Sequence, residues 1–337
     1  MNVPSSALSL DALLADPKAT PRAFDCADAR ESLHAFCGLV ELPGVVVGYE
    51  PPTASFDDDE DDGKPGKLTV GDLSFRPIET PQAAHHKLLL DKLEAVERGE
   101  IPRLMVFMPP GSAKSTYASV AFPAWFMGRK RGRNVGVATY ATGLARKVGR
   151  RIRAIVRQSV YQETFSTGLA QGQGAVNEWA LENGNEFMGE GILAGWTGNR
   201  LDGLVIDDPV KNREDADSPI IQEKTRDEYD NSLQSRLKPS GWIVIIQTRW
   251  NESDLSGGLL PETWDGESGP ILCRDGRVWE ILSIPAEAEE GDPLGRKPGE
   301  MLWPEWFGLD PHFWTAARKN RRTWSALYQQ RPAANDG

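Results

Sequence analysis

The segment Pro109-Pro110-Gly111-Ser112-Ala113-Lys114-Ser115-Thr116 sets a glycine, a lysine and three hydroxyls between a short apolar run and a helical pattern. That combination suits a polyphosphate. Backbone N–H groups of such a turn wrap the phosphates, the N-terminus of the following helix faces the anion, and a lysine reaches the β- and γ-phosphates. Gly111, Ser112, Ala113, Lys114, Ser115 and Thr116 are therefore candidate nucleotide-binding residues, with the Ser115 hydroxyl available to Mg²⁺. The usual spacing, GxxxxGK and then Ser or Thr, puts glycines at 108 and 113, where this chain has Met108 and Ala113. Taken alone, the segment reads equally as an ordinary strand-to-helix turn with an exposed lysine.

A second run, Leu204–Val205–Ile206, ends in Asp207–Asp208–Pro209. At the end of a strand, one carboxylate can hold the Mg²⁺ shell while its neighbour orients and deprotonates an attacking water. The plainer reading is an Asp-rich turn before a proline. Two half-signals in this order favour the nucleotide reading. Arg200, in Gly198-Asn199-Arg200, is by itself a surface arginine, but a guanidinium near a phosphate site can stabilise transition-state charge. A further apolar run, Trp242 to Gln247, ends at Thr248, where a polar side chain would face the ligand crevice of an open α/β sheet and sense the γ-phosphate.

These residues need a scaffold, and the surrounding pattern supplies one. Residues 83–97 carry Leu88, Leu89, Leu93 and Val96 at helical spacing with Gly99 beyond. Short apolar runs at 104–108, 135–140, 204–206 and 242–247 alternate with helical segments, notably 144–158 and 220–237. Strands alternating with helices predict a mostly parallel sheet with helices on both faces. In the 144–158 helix, Leu144, Val148, Ile152 and Ile155 form an apolar stripe, so Arg146, Lys147, Arg150, Arg153 and Arg157 fall largely outside it. They read as a solvated face or as contacts to a phosphate backbone.

Composition sets the limits. Among 337 residues, 39% are hydrophobic and 26% charged, which suits a globular chain with a sizeable core. No run approaches the ~20 apolar residues of a membrane span, and no secretory signal is visible at the N-terminus. Cys26, Cys37 and Cys273 fit neither a disulfide framework nor a CxxC site, and the adjacent pair His85–His86 has no zinc-spaced partners. The net charge of −11 argues against a nucleic-acid partner only on average. DDDEDD at 57–62 concentrates acid, whereas residues 129–157 hold basic residues and no acid. Eight of the eleven tryptophans fall between 242 and 324, a density that reads as packing more readily than as base stacking.

Together MPPGSAKST, VIDDPVKNREDADSP, SRLKPSGWIVIIQTRWNESDLSG, DPLGR, MLWPEWF and LYQQRP, in this order between about Pro81 and Pro332, resemble the ATPase half of the large terminase subunit of tailed bacteriophages. The resemblance implies an ASCE-type P-loop ATPase fold with ATP and Mg²⁺ as cofactors. It implies Lys114 and Ser115 as the Walker A lysine and metal ligand, and Asp207 as the Walker B carboxylate. Asp208 stands where many relatives carry a catalytic Glu, one methylene longer. Thr248 would be the coupling residue, Arg200 a finger on a neighbouring subunit's ATP, and Gln82 an adenine contact. The implied work is translocation of double-stranded DNA into a procapsid in the host cytoplasm, at the portal vertex and not in the mature virion. The implied partners are portal protein, small terminase subunit and further copies of the chain, a pentameric ring when docked and a monomer in solution. A weakly catalytic adaptor bridging DNA and portal, and a helicase-like ATPase, are the alternatives. The resemblance divides the chain into an N-terminal arm at 1–78 with a mobile loop near 51–67, an ATPase domain at 79–331 whose C-terminal subdomain is 261–331, and a linker start at 332–337. In such proteins YQQRP leads into a nuclease domain, so no nuclease activity is expected from the residues present.

Overall fold

The computed structural model describes residues 9–16, 18–46, 75–172, 175–198 and 200–332. The acidic stretch near 51–67, and all of the linker start except Pro332, lie outside the described residues. Ten strands occur among them: β1 Pro43–Val46, β2 Phe75–Pro77, β3 Arg103–Phe107, β4 Val135–Thr139, β5 Glu178–Ala180, β6 Glu186–Gly191, β7 Leu201–Asp207, β8 Leu237–Gln247, β9 Gly269–Leu272 and β10 Val278–Ser283. The first two form a small antiparallel ribbon, and the other eight one sheet in the order β5-β6-β4-β7-β8-β3-β10-β9. From β6 to β10 every pair is parallel, and only the edge strands β5 and β9 run antiparallel. Strands β3, β4 and β7 are buried almost end to end, as their unbroken apolar runs require of a sheet covered on both faces.

Strand β8 lies between β3, which leads into the lysine loop, and β7, which ends in the two aspartates. This order gives the mostly parallel α/β sheet that the alternation of strand and helix predicts, with β8 inserted between the two strands whose ends carry the candidate chemistry. Register then aligns the three strand ends. Phe107 pairs with Gln247, and Asp207 pairs with Ile246, so the loop after β3, Thr248 and Asp208 emerge along one edge of the sheet. The approach of β7 to the core is tight: a Cβ on Gly203 would lie 2.0 Å from the Trp242 ring.

The helices differ from the sequence expectation in informative ways. Helix α4 (Ala84–Glu97) matches the 83–97 pattern, burying Leu89, Leu93 and Val96, and additionally His85 and His86. The segment expected as one helix from 220 to 237 is helical from Pro219 to Arg236, with a π-helical turn at Tyr229–Leu233, and Leu237 already belongs to β8. A second π-helical turn, Thr116–Ala121, follows the lysine loop, and there the Phe122 N–H donates to the Tyr117 carbonyl five residues back. Pro123 explains it, because it has no N–H to give the Ser119 carbonyl, and a wider turn accommodates the loss.

Residues 9–16 and 18–42 also contribute to the body of the fold. They form helices α1 (Leu10–Leu14), α2 (Pro21–Glu31) and α3 (Leu33–Leu39), capped by the hydroxyls of Ser9, Thr20 and Ser32. Ala29, Leu33, Phe36, Val40 and Leu42 join the same core as Leu89, Leu93 and Trp125. The Trp125 indole donates to the Ala29 carbonyl at 2.9 Å, and Glu94 accepts from the Leu33 N–H at 2.6 Å. At the other end of the chain, Trp303, Phe307, Phe313, Trp314, Trp324 and Tyr328 pack ring on ring. Tryptophans dense in sequence thus serve packing. No helix among the described residues is long and apolar enough to cross a membrane.

Candidate nucleotide site

Met108, at the position where the usual motif has its first glycine, is fully buried in the core, and its backbone is not among those with positive φ. Nothing there demands a glycine. Position 113 is different. Gly111 has φ 79° and Ala113 φ 61°, so the loop makes two left-handed turns, one of them on a residue with a Cβ. The left-handed region costs a non-glycine residue roughly 1–2 kcal/mol. Ala is the smallest side chain that must bear it.

The Lys114 ammonium is buried and donates to the Thr248 hydroxyl at 2.9 Å. The Thr248 N–H in turn donates to Asp208 Oδ1 at 2.7 Å. Asp208 adopts φ 44°, and its own N–H is held by the Ile246 carbonyl at 2.9 Å. The ends of β3, β8 and β7 are thereby joined through one chain of contacts, buried at Lys114 and Thr248 and half-buried at Asp208.

Asp207 forms the second cluster. Its Oδ1 accepts from the Ser115 hydroxyl at 3.0 Å and its Oδ2 from the Ser119 hydroxyl at 2.6 Å. Burial, with the Asp208 charge beside it, pushes the carboxyl up to about 6, while the Ser119 hydroxyl, Lys114 and Ser115 pull the other way. A carboxylate and a hydroxyl are hard oxygen donors of the kind Mg²⁺ takes, commonly with one or two carboxylates plus substrate phosphates. Among the described residues no group of three or more His, Cys, Asp or Glu gathers, so an all-protein metal cage is not built there. The donor set fits Mg²⁺ shared with a nucleotide. Ser119 escaped sequence reasoning, although its spacing of four from Ser115 puts both hydroxyls on one helical face.

Two expected residues do not join this centre. Gln82 donates to the His34 carbonyl at 3.3 Å and lines a separate cavity of about 630 Å³ with His85, Leu294, Arg296 and Trp303. That cavity neighbours the lysine loop through His85, whose ring reaches the Ser112 carbonyl. Arg200 is exposed just before Leu201, at the opposite end of β7 from Asp207. A seven-residue strand separates them, about 20 Å at ~3.3 Å per residue. Its guanidinium donates to the Ser235 carbonyl at 2.8 Å, and not to Asp202, which is taken by Lys238.

The basic helix needs one correction. In α6 (Thr142–Val156), Gly149, Ile152, Arg153 and Val156 are buried, the i, i+3, i+4, i+7 set of one face. Arg153 therefore points inward and donates to the Ala175 carbonyl at 3.2 Å, which removes it from a solvent-facing row. Lys147 and Arg157 are exposed, and Arg146 and Arg150 are half-buried.

Comparison with known protein families and with curated proteins returns no match. Solved structures do match. The large terminase of bacteriophage HK97 aligns at 12% identity over 57% of this chain and 42% of its own, with a TM-score of 0.36. The large terminase ATPase domain of Thermus phage P74-26 aligns at 13% identity over 75% of this chain and 94% of its own, TM-score 0.45. The large terminase of a thermophilic bacteriophage, solved in complex with ADP, aligns at 12% identity over 49% and 38%, TM-score 0.31. The chain is similar to phage large terminases. It spans 42% of the HK97 protein's length.

Proposed function

We propose that the chain is the ATP-hydrolysing motor part of a phage large terminase, driving double-stranded DNA into a procapsid. The observation that carries this reading is the link from Lys114 through Thr248 to Asp208, which unites the lysine loop, the added strand and the aspartate pair. Lys114 would exchange its Thr248 contact for phosphate oxygens, and the loop N–H groups would hold the remaining phosphate charge. Ser115 and Asp207 would hold Mg²⁺, which, when bound, neutralises charge on the transferring phosphoryl group. Asp208, oriented by the Thr248 N–H, would accept the proton of the attacking water. Such sites act by positioning and electrostatics.

In this reading Gln82 and its cavity receive the adenine. Lys147 and Arg157, with Arg146 and Arg150 beside them, face the DNA backbone. Arg200, remote from its own Asp207, serves a neighbouring copy's nucleotide in a ring docked on the portal, with the small terminase subunit as a further partner. The test is ATP turnover measured alone, with duplex DNA, and with purified portal protein. Hydrolysis stimulated by duplex and portal is expected. Nucleotide binding without turnover would make the protein an adaptor, stimulation by single strands alone a helicase-like ATPase, and absence of nucleotide binding would overturn the reading.

A further inference from the structure

The pair His85–His86 has no part in the phosphate chemistry above, though His85 borders the Gln82 cavity, and both rings converge on the lysine loop. His85 Nε2 lies 3.2 Å and His86 Nε2 3.0 Å from one and the same atom, the Ser112 carbonyl oxygen. A carbonyl only accepts, and it has two lone pairs, so both Nε2 atoms carry hydrogen and both donate. His86 Nδ1 accepts from the Ala83 N–H at 3.0 Å, which leaves that nitrogen without a proton and fixes the neutral Nε2–H tautomer. Burial acts in the same direction, holding His85 down at about 3 and His86 at about 4. Neither ring has slack. The two centroids are 3.9 Å apart, Trp303 packs at 5.1 and 4.6 Å from them, and Tyr117 lies 4.6 Å from His86.

The C=O and N–H of a trans peptide point in opposite directions. Anchoring the Ser112 carbonyl on the imidazole side therefore turns the Ala113 N–H away from them. The same anchorage acts on the residue that carries left-handed strain, a conformation that persists only where its surroundings over-determine it. We propose that His85 and His86 are positioning residues of the phosphate loop: by jointly holding the Ser112 carbonyl they aim the Ala113 N–H at a bound phosphate. This rests on the reading of residues 109–116 as a phosphate loop. His85 also lines the cavity that contains Gln82, so the clamp adjoins the two halves of the nucleotide site.

The test separates donor from ring. His86→Phe keeps an aromatic body against Tyr117 and Trp303 but has no donor, whereas His86→Gln keeps an N–H donor without the ring, and the same exchanges are made at His85. Affinity for a fluorescent ADP is measured for each full-length variant, with the thermal midpoint in nucleotide-free buffer. Loss of one hydrogen bond should weaken binding about two- to tenfold. The Phe variants should show that loss, His85→Phe at an unchanged midpoint and His86→Phe at one lowered by the Ala83 N–H left without its acceptor, and the Gln variants should recover most of the affinity. A nitrogen-15 spectrum should show both imidazoles as Nε2–H tautomers, with the Ala113 amide shifting on ADP addition in the wild type and less in the Phe variants. Wild-type ADP binding with Phe and Gln variants equal to it would overturn the clamp and leave the phosphate loop standing. No ADP binding by the wild type would overturn the loop itself.

Discussion

Thr248→Val removes one oxygen and nothing else of consequence. Val has the same shape, and the backbone N–H that orients Asp208 stays in place. What is lost is the acceptor for the buried Lys114 ammonium, at 2.9 Å. Hydrogen bonds to charged groups contribute about 1.5–3 kcal/mol, and both side chains here are nearly inaccessible, so screening by solvent is slight. A chain of 337 residues unfolds with an entropy of about 0.7 kcal/mol/K, so the nucleotide-free variant should melt about 2–4 °C lower. Bound phosphate offers Lys114 another acceptor, so the nucleotide complex should lose little. The difference must then appear as tighter binding, about 10- to 150-fold for the same free energy, together with slower turnover because β8 no longer senses the lysine. Calorimetric titration with a non-hydrolysable ATP analogue, paired with melting curves with and without it, measures both quantities. Equal melting losses in the two states, with unchanged affinity, would refute the idea that Lys114 changes partners.

Three further outcomes are expected. Lys114→Ala should lower ATP turnover by about a hundredfold or more while circular dichroism stays native, since it deletes the loop's cation. Ser119→Ala should raise the Mn²⁺ concentration for half-saturation in the presence of ADP, read by electron paramagnetic resonance, by about tenfold, the value of one charge-assisted hydrogen bond, and Ser119→Thr should restore it. Asp207 has its folded pKa raised to about 6 from the ordinary 3.8, so its charged form destabilises the metal-free fold above about pH 6, and this penalty fades as the pH falls toward 4. Asp207→Asn should therefore melt higher than the wild type at pH 7–8 in metal-free buffer, with the gap closing between pH 6 and 4.

The convergence of Lys114, Asp207 and Thr248 was legible because each follows an apolar run, and strand–helix alternation implied a parallel sheet that brings such strand ends together. Inward Arg153 was not legible, since a five-arginine helix offers more cations than its solvent face can hold, and packing against the 175–176 segment decides which one turns in. Ser119 and the imidazole pair were hidden for another reason. Their partners, the Asp207 carboxylate and a backbone carbonyl, lie 88 and 26–27 residues away, and local spacing such as Ser115–Ser119 shows a shared face without naming so distant a partner. The helices before residue 40 leave little pattern to read, because their apolar faces are short and rich in Ala and Cys, which bury well but signal weakly.

Those early helices make covalent continuity less important than it looks. Leu33 and Phe36 are wholly enclosed, β1 pairs with β2, and Arg22 and His34 reach across to Glu163 and Asp91. A peptide of residues 9–46 made separately should then re-associate with a second chain of residues 75–332, and the two should co-elute as one particle. Discarding that peptide would expose the flank of Trp125 and α4 as a sticky apolar surface, so a shortened version starting near residue 79 should aggregate instead of remaining a single dispersed species.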